Sequence, residues 1–280
     1  MSPISNELIL FFLLGLLQGI TEPLPISSSG HLMIAQELLG ISVGEPHKQL
    51  AFATLVNAAS LLSVLLIYRS DIFRLAINST VYLYNKSPDL KSDFDYVKLL
   101  LIATIPAGVL GLLLKDILEG HLENIIVVGI ALIVTGIFLW LIQNLVGKKK
   151  DNQISVIDAI IIGLAQSVAL IPGISRSGAT VVAAMFKGFT RESALRFSFL
   201  LYIPVSIGAV ILQIDTLGDI LSESSSMLLP YIIAFLSSFI ASYLALKWFI
   251  NVMKKGKLLY FSIYCFVVGP FVILFKYILP

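Results

Sequence analysis

Twice over in this chain, a pair of apolar stretches too short to cross a lipid bilayer precedes three that are long enough. The long stretches cover 51–68, 97–114 and 125–147, then 194–214, 227–250 and 258–279. Each is near the ~17–25 residues that a spanning helix needs. The short pairs are 7–21 with 24–39 and 154–171 with 174–187, and only a proline-containing turn separates their members. Backbone inside a bilayer must satisfy its own hydrogen bonds, so the long stretches read as helices. The short pairs fit re-entrant helical hairpins, whose irregular tips are tolerated only when buried in protein or lining a wet cavity. The expected fold is an all-α integral membrane protein with six spanning helices and two re-entrant hairpins. With 58% hydrophobic residues, 13% charged and a mean hydropathy of +0.95, an ordinary soluble domain is excluded.

The two pairs carry one polar signature. G-L-L-Q-G-I-T-E-P-L-P-I-S-S-S-G-H runs from Gly15 to His31, and G-L-A-Q-S-V-A-L-I-P-G-I-S-R-S-G-A from Gly163 to Ala179. At a constant offset of 148 positions, Gly15, Gln18, Ile26, Ser27, Ser29 and Gly30 meet Gly163, Gln166, Ile174, Ser175, Ser177 and Gly178. Residues 1–147 are therefore read as one repeat and 148–280 as the second, together forming one membrane domain. Internal repeats interrupted by Gly, Pro and Ser point to a binding site built from broken helices. The copies differ where chemistry would need them to: Glu22 and His31 occur only in the first, Arg176 only in the second.

Charge sets the orientation. Of the 19 Lys and Arg residues, all but Lys48, Lys115, Lys276 and Arg176 fall on the side of the 69–96, 148–153, 187–193 and 251–257 connections. The positive-inside rule makes that side cytoplasmic. The opposite side collects acids such as Glu37, Glu45, Asp116, Glu119, Glu123, Asp215, Asp219 and Glu223. Three spans separate the hairpins, so the first dips in from outside and the second from the cytoplasm. Their tips should meet near mid-membrane as an inverted repeat. The first residues lack a basic start and hold part of the repeat, so they do not read as a cleavable signal. Cys265, alone in an apolar span, reads as packing. His47 and His121 read as solvated loop residues.

At the first tip, Pro23 and Pro25 stop one helix and Ser27 is a natural N-cap for the next. Ser28, Ser29 and His31 then fall in its first turn. The second tip repeats this with Pro172, Gly173, Ser175, Arg176, Ser177 and Thr180. Gly30 and Gly178 would let two backbones, or a backbone and a ligand, approach closely. Free amides at helix N-termini favour anions, phosphate above all, and Arg176 offers a planar fork for a phosphoryl group. Ser28 is a candidate nucleophile, His31 a candidate base, and Glu22 a carboxylate to orient it. The structural alternative is an ion pair between Glu22 and Arg176 that joins the repeats. Either residue alone would cost roughly 2.5–3.5 kcal/mol at mid-membrane.

At these residues the chain resembles the undecaprenyl-diphosphate phosphatase family, the bacitracin-resistance phosphatases. The matching segments are Q-G-I-T-E-P-L-P-I-S-S-S-G-H (18–31), P-G-I-S-R-S-G-A-T (172–180), L-I-A-T-I-P-A-G-V-L-G (101–111) and F-S-F-L-L-Y-I-P (197–204). The resemblance implies a multi-pass plasma-membrane enzyme that removes the terminal phosphate of a polyprenyl diphosphate, recycling the carrier lipid for cell-envelope glycan synthesis. It puts the family's nucleophilic serine on Ser28, its histidine on His31 and its acid on Glu22. Its phosphate-binding arginine falls on Arg176, flanked by Ser175 and Ser177. The family often has a second acid where this chain has Gln18, whose role reduces to hydrogen bonding or substrate placement.

One carboxylate makes a poor cage for a divalent cation, so no built-in metal site is expected. Mg2+ or Ca2+ would arrive held mainly by the substrate's phosphates. The proposed reaction has Ser28 attack phosphorus while His31, polarised by Glu22, takes its proton; a variant makes His31 the nucleophile. The partners implied are the lipid substrate and the bilayer, with a homodimer left open. The net charge of +2 gives no reason to expect nucleic acid. A reading from another class is a lipid-phosphate flippase or secondary transporter, since inverted repeats with broken helices also build those.

Overall fold

A computed structural model describes residues 3–40, 46–114, 124–223 and 225–278. Glu45, Lys115, Asp116, Glu119, His121 and Glu123 lie outside the described residues, as do the side chains of His47, Asp219 and Glu223. Helices α1 (Pro3–Thr21) and α2 (Ser28–Leu39) form the first short pair, followed by α3 (Pro46–Ile67), α4 (Arg69–Asn85), α5 (Lys91–Leu113) and α6 (Ile125–Ile142). The second pair is α7 (Val156–Val168) and α8 (Arg176–Phe186). It is followed by α9 (Arg191–Leu212), α10 (Ile214–Glu223), α11 (Ser225–Lys254) and α12 (Leu259–Ile278). Among the described residues the sole extended pairing is an isolated bridge between Lys149 and Phe189.

Among the described residues six helices are long and apolar enough to cross a membrane: α3, α5, α6, α9, α11 and α12. The shorter apolar segments Asn6–Thr21 and Val156–Val168 fall short of that length. Rows of bare apolar side chains, such as Leu101, Ile105, Val109 and Leu112 along α5, would be untenable in water. The chain has the architecture of a multi-pass integral membrane protein.

Two segments differ from expectation. Residues 69–96, read as a connection, hold α4, a short 3-10 turn and the start of α5. Arg69, Asp71 and Arg74 make α4 too polar to register as a span, yet Phe73, Ile77, Val81 and Tyr84 keep an exposed apolar row at helical spacing. The stretch after α9 holds a further helix, α10.

Helix ends follow the local chemistry. Ser27 accepts from the Gly30 amide (3.3 Å) and Ser175 from the Gly178 amide (3.1 Å), so the two tips use one cap. Ser155 and Asp158 form a capping box at the start of α7. Gly40, in the left-handed region (φ 60°), ends α2. The first helix of each short pair packs on a span of the other half: α1 against α11 and α7 against α5. Gly15 and Gly163 make those crossings close. A Cβ on Gly15 would stand 2.2 Å from the Ala234 carbonyl oxygen, and one on Gly163 2.4 Å from that of Ala103. The core centres on Leu132, Leu139, Phe189, Phe197 and Phe249, all fully buried.

Candidate active site

The two helix-breaking turns touch. Ser175 and Ser177, at the start of α8, donate to the Leu24 carbonyl at 3.4 and 3.2 Å, reaching from the second tip into the first. A Cβ on Gly30 would lie 3.0 Å from the Gly173 Cα, and Gly173 itself has a positive φ of 94°. Both positions need glycine: one for the close approach, the other for a left-handed backbone.

Glu22, at the end of α1, is the hub. Its Oε2 accepts hydrogen bonds from Ser28 Oγ and from Gln18 Nε2, the latter at 2.9 Å. Its Oε1 faces Arg176 Nη2 at 3.2 Å. The ion pair foreseen as the structural alternative is therefore present. Arg176 is also fixed by Ser206 Oγ (Nη1, 3.3 Å) and lies 4.6 Å above the Tyr202 ring. Tyr202 donates to Asn57 Oδ1 at 2.7 Å. That surrounding shell fixes the guanidinium without using all its donors.

The pair borders a polar cavity of ≈ 200 Å³ lined by Gln18, Glu22, Ser27, Ser28, Ser29, Thr54, Asn57, Ser175 and Arg176. The Arg176 side chain keeps 27% of its surface exposed, so an entering anion can reach it. The carboxylate, the hydroxyl and the guanidinium thus share one space with the first turns of α2 and α8. A phosphoryl transfer would call on groups of these kinds: a hydroxyl, a carboxylate able to take its proton, and positive groups for the developing charge.

Four expected residues sit elsewhere. His31 has both ring nitrogens engaged away from Ser28: Nδ1 with the Ser27 carbonyl and Nε2 with the Tyr264 hydroxyl, each at 2.7 Å. Its ring is stacked with that of Tyr264, with centroids 5.6 Å apart. The expected relay from Glu22 through His31 to Ser28 is not formed. The reason is that i, i+3 spacing on a helix puts side chains on one face without aiming them at each other. Ser177 and Thr180 line a narrow cleft behind the ion pair, with Ser60, Ser198 and Ser242. There Thr180 is buried and bonded to Ser198. Gly178 contributes through its amide to the Ser175 cap rather than through contact with the cavity.

Asn57, Tyr202, Ser206 and Tyr264 were not singled out from the sequence. Asn57 carried a usable signal, as an amide in the middle of an apolar span that needs a partner. Tyr264 carried none, being one of many aromatics in α12.

No cluster of three or more His, Cys, Asp or Glu side chains occurs among the described residues. The one carboxylate of the cavity is already shared by a guanidinium, a hydroxyl and an amide. The buried Gln18 Oε1 has no hydrogen-bond partner, but a single neutral carbonyl does not complete a cation cage. These residues do not fit a resident divalent ion.

Residues 11–271 match the family described as "Bacitracin resistance protein BacA". Similar curated proteins include "Undecaprenyl-diphosphatase 2" of Bacillus thuringiensis (strain Al Hakam), 53% identical over 95% of this chain and 96% of that protein. "Undecaprenyl-diphosphatase 1" of Bacillus licheniformis is 52% identical over 96% of this chain and 98% of that one. "Undecaprenyl-diphosphatase" of Oceanobacillus iheyensis is 50% identical over 95% of both.

Proposed function

The chain belongs to the bacitracin-resistance protein BacA family, and from that premise we propose that it is an undecaprenyl-diphosphatase. It hydrolyses the lipid diphosphate to the lipid monophosphate and inorganic phosphate. The observation that carries the chemistry is the division of labour at Glu22, with one oxygen on Ser28 and the other on Arg176.

Ser28 Oγ attacks the terminal phosphorus while its proton passes to Glu22. The bond to the bridging oxygen breaks, the lipid monophosphate leaves, and Glu22 gives up its proton to that product or to water. A water molecule then attacks the phosphoserine with Glu22 again as acceptor. The proton returns to Ser28 as inorganic phosphate departs. Arg176 and the first-turn amides of α2 and α8 hold the phosphoryl oxygens through both steps. His31 is a positioning residue in this scheme, pinning Ser27 and so the turn that presents Ser28. Any divalent ion that takes part would come with the diphosphate, held mainly by the substrate's phosphates.

The architecture that supports this reading is an inverted repeat of two re-entrant hairpins, 1–147 against 148–280. Four features argue for it: the shared serine caps, the paired Gly15 and Gly163 crossings, the meeting of the tips, and the Lys187–Asp158 contact (3.7 Å) that joins the outer ends of α7 and α8. The basic connections are cytoplasmic by the positive-inside rule, which opens the polar cavity to the external side. The isoprenoid tail stays in the apolar phase.

Purified protein in detergent, given undecaprenyl diphosphate, should release phosphate and leave undecaprenyl monophosphate. Intact lipid recovered from protein that remains folded would end the reading. Transbilayer movement of intact lipid in vesicles would instead make the chain a carrier.

A further inference from the structure

A second cavity, of ≈ 310 Å³, lies between α6, α7 and α8, and its walls are almost entirely apolar. Val134, Phe138 and Leu139 form one side, Ile161, Ala165 and Val168 another, and Ala179, Val182 and Ala183 the third. Two relationships give it a meaning beyond loose packing. Ile174, in the turn before α8, lines both this cavity and the polar one that holds Ser28, Glu22 and Arg176. The apolar space therefore begins one side chain from the phosphoryl site. Phe138, Val168 and Phe186 on its rim are half-exposed, on surface that faces lipid in the membrane reading, so the groove opens sideways into the bilayer.

Resting on the phosphatase reading above, we propose that this groove holds the isoprene units nearest the diphosphate of the protein's own substrate. A polyprenyl diphosphate is amphiphilic, and its charged end has to leave the headgroup region to meet Arg176. The first isoprene units must then cross the protein wall beside the site. Ile174 is the wall shared by the polar and apolar cavities, and the small residues Ala165, Ala179 and Ala183 line the apolar space beyond it. Burial of branched hydrocarbon there adds binding energy remote from the reacting bond. A second copy of this chain or a bulk phospholipid has no comparable reason to sit beside the phosphate cavity.

The test fills the groove from either wall, with Ala183→Leu on α8 and Ala165→Leu on α7. Each variant is assayed with a long polyprenyl diphosphate and with methyl diphosphate, a short substrate that has no isoprene unit to place in the groove. The expected result is a KM for the long substrate raised roughly tenfold, with kcat/KM for the short one within about twofold of the parent. Equal losses on both substrates, or no loss on either, would overturn the assignment. As a check independent of folding in the variants, the parent protein is labelled with a prenyl diphosphate carrying a diazirine on its second isoprene unit. Adducts should map to α6, α7 or α8. Adducts on α11 alone, equal labelling by a phosphatidylglycerol diazirine, or a dimer contact that covers the groove would each refute it. Lack of phosphate release by the parent from either diphosphate would be the separate failure of the phosphatase reading.

Discussion

The Ser28 hydroxyl donates to the Glu22 carboxylate across the turn that ends α1, and the imidazole of His31 takes no part in that bond. Glu22 and Ser28 both belong to the α1–α2 pair, and Arg176 belongs to the α7–α8 pair. In the proposed mechanism neither pair alone holds a complete site.

Glu22 and His31 should therefore separate under conservative substitution. A Gln at position 31 can still donate to the Ser27 carbonyl and accept from Tyr264, so His31→Gln should keep turnover within about tenfold of the parent, the scale of one hydrogen bond. Glu22→Gln removes the proton acceptor and should lower kcat by roughly 10²–10⁴-fold. Steady-state phosphate release measures both. The reverse ranking would restore His31 as the base.

Tyr264 anchors the imidazole from α12, and Tyr264→Phe removes one hydroxyl while leaving the ring stack in place. The cost should be about 0.5–1.5 kcal/mol, seen as a modest fall in kcat with KM unchanged. Combined with His31→Gln, the losses should be less than additive, because the two groups act as one unit. Full additivity would mean that Tyr264 acts on something other than His31.

Arg176→Lys keeps a positive charge beside Glu22 but loses the fork, the Ser206 contact and the stacking on Tyr202. We expect kcat/KM to fall by about 10²–10³-fold with a small change in Tm. If Arg176 served only to pin the two hairpins together, the loss would appear in Tm and activity would follow it.

Asp158 gives the fold a pH signature. Burial pushes its carboxyl up, but hydrogen bonds from Lys149 and Ser155 outweigh that and hold it below the ordinary carboxylate range. A carboxyl depressed in the folded state contributes stability above its unfolded pKa and loses it as pH falls through the folded value. Asp158→Asn should thus lower stability by ~1–3 kcal/mol at neutral pH. The gap in Tm should hold down to about pH 4 and narrow below it. A gap independent of pH would mean that the charge is not what stabilises the site.

Much of the design was written in the chain. Stretch lengths announced which helices could span, because bilayer thickness fixes that number. The serine caps, the proline stops and the Glu22–Arg176 pair followed from residues that have few other uses inside a membrane. Side-chain aim was not legible. The motif puts Ser28 and His31 three positions apart, yet His31 turns to Tyr264, a residue more than two hundred positions away that no local pattern marks. Helix α4 was missed for a related reason: its charges lower the mean hydropathy, while its apolar row is visible only at helical spacing.

The central claim is that Ser28 becomes the phosphorylated residue, and Ser28→Ala tests it most directly. The N-cap of α2 is Ser27, so this substitution leaves the helix start intact. Phosphate release from undecaprenyl diphosphate should fall by at least about 10³-fold, with Tm within a few degrees of the parent. Turnover retained at the parent level in the folded variant would contradict the account.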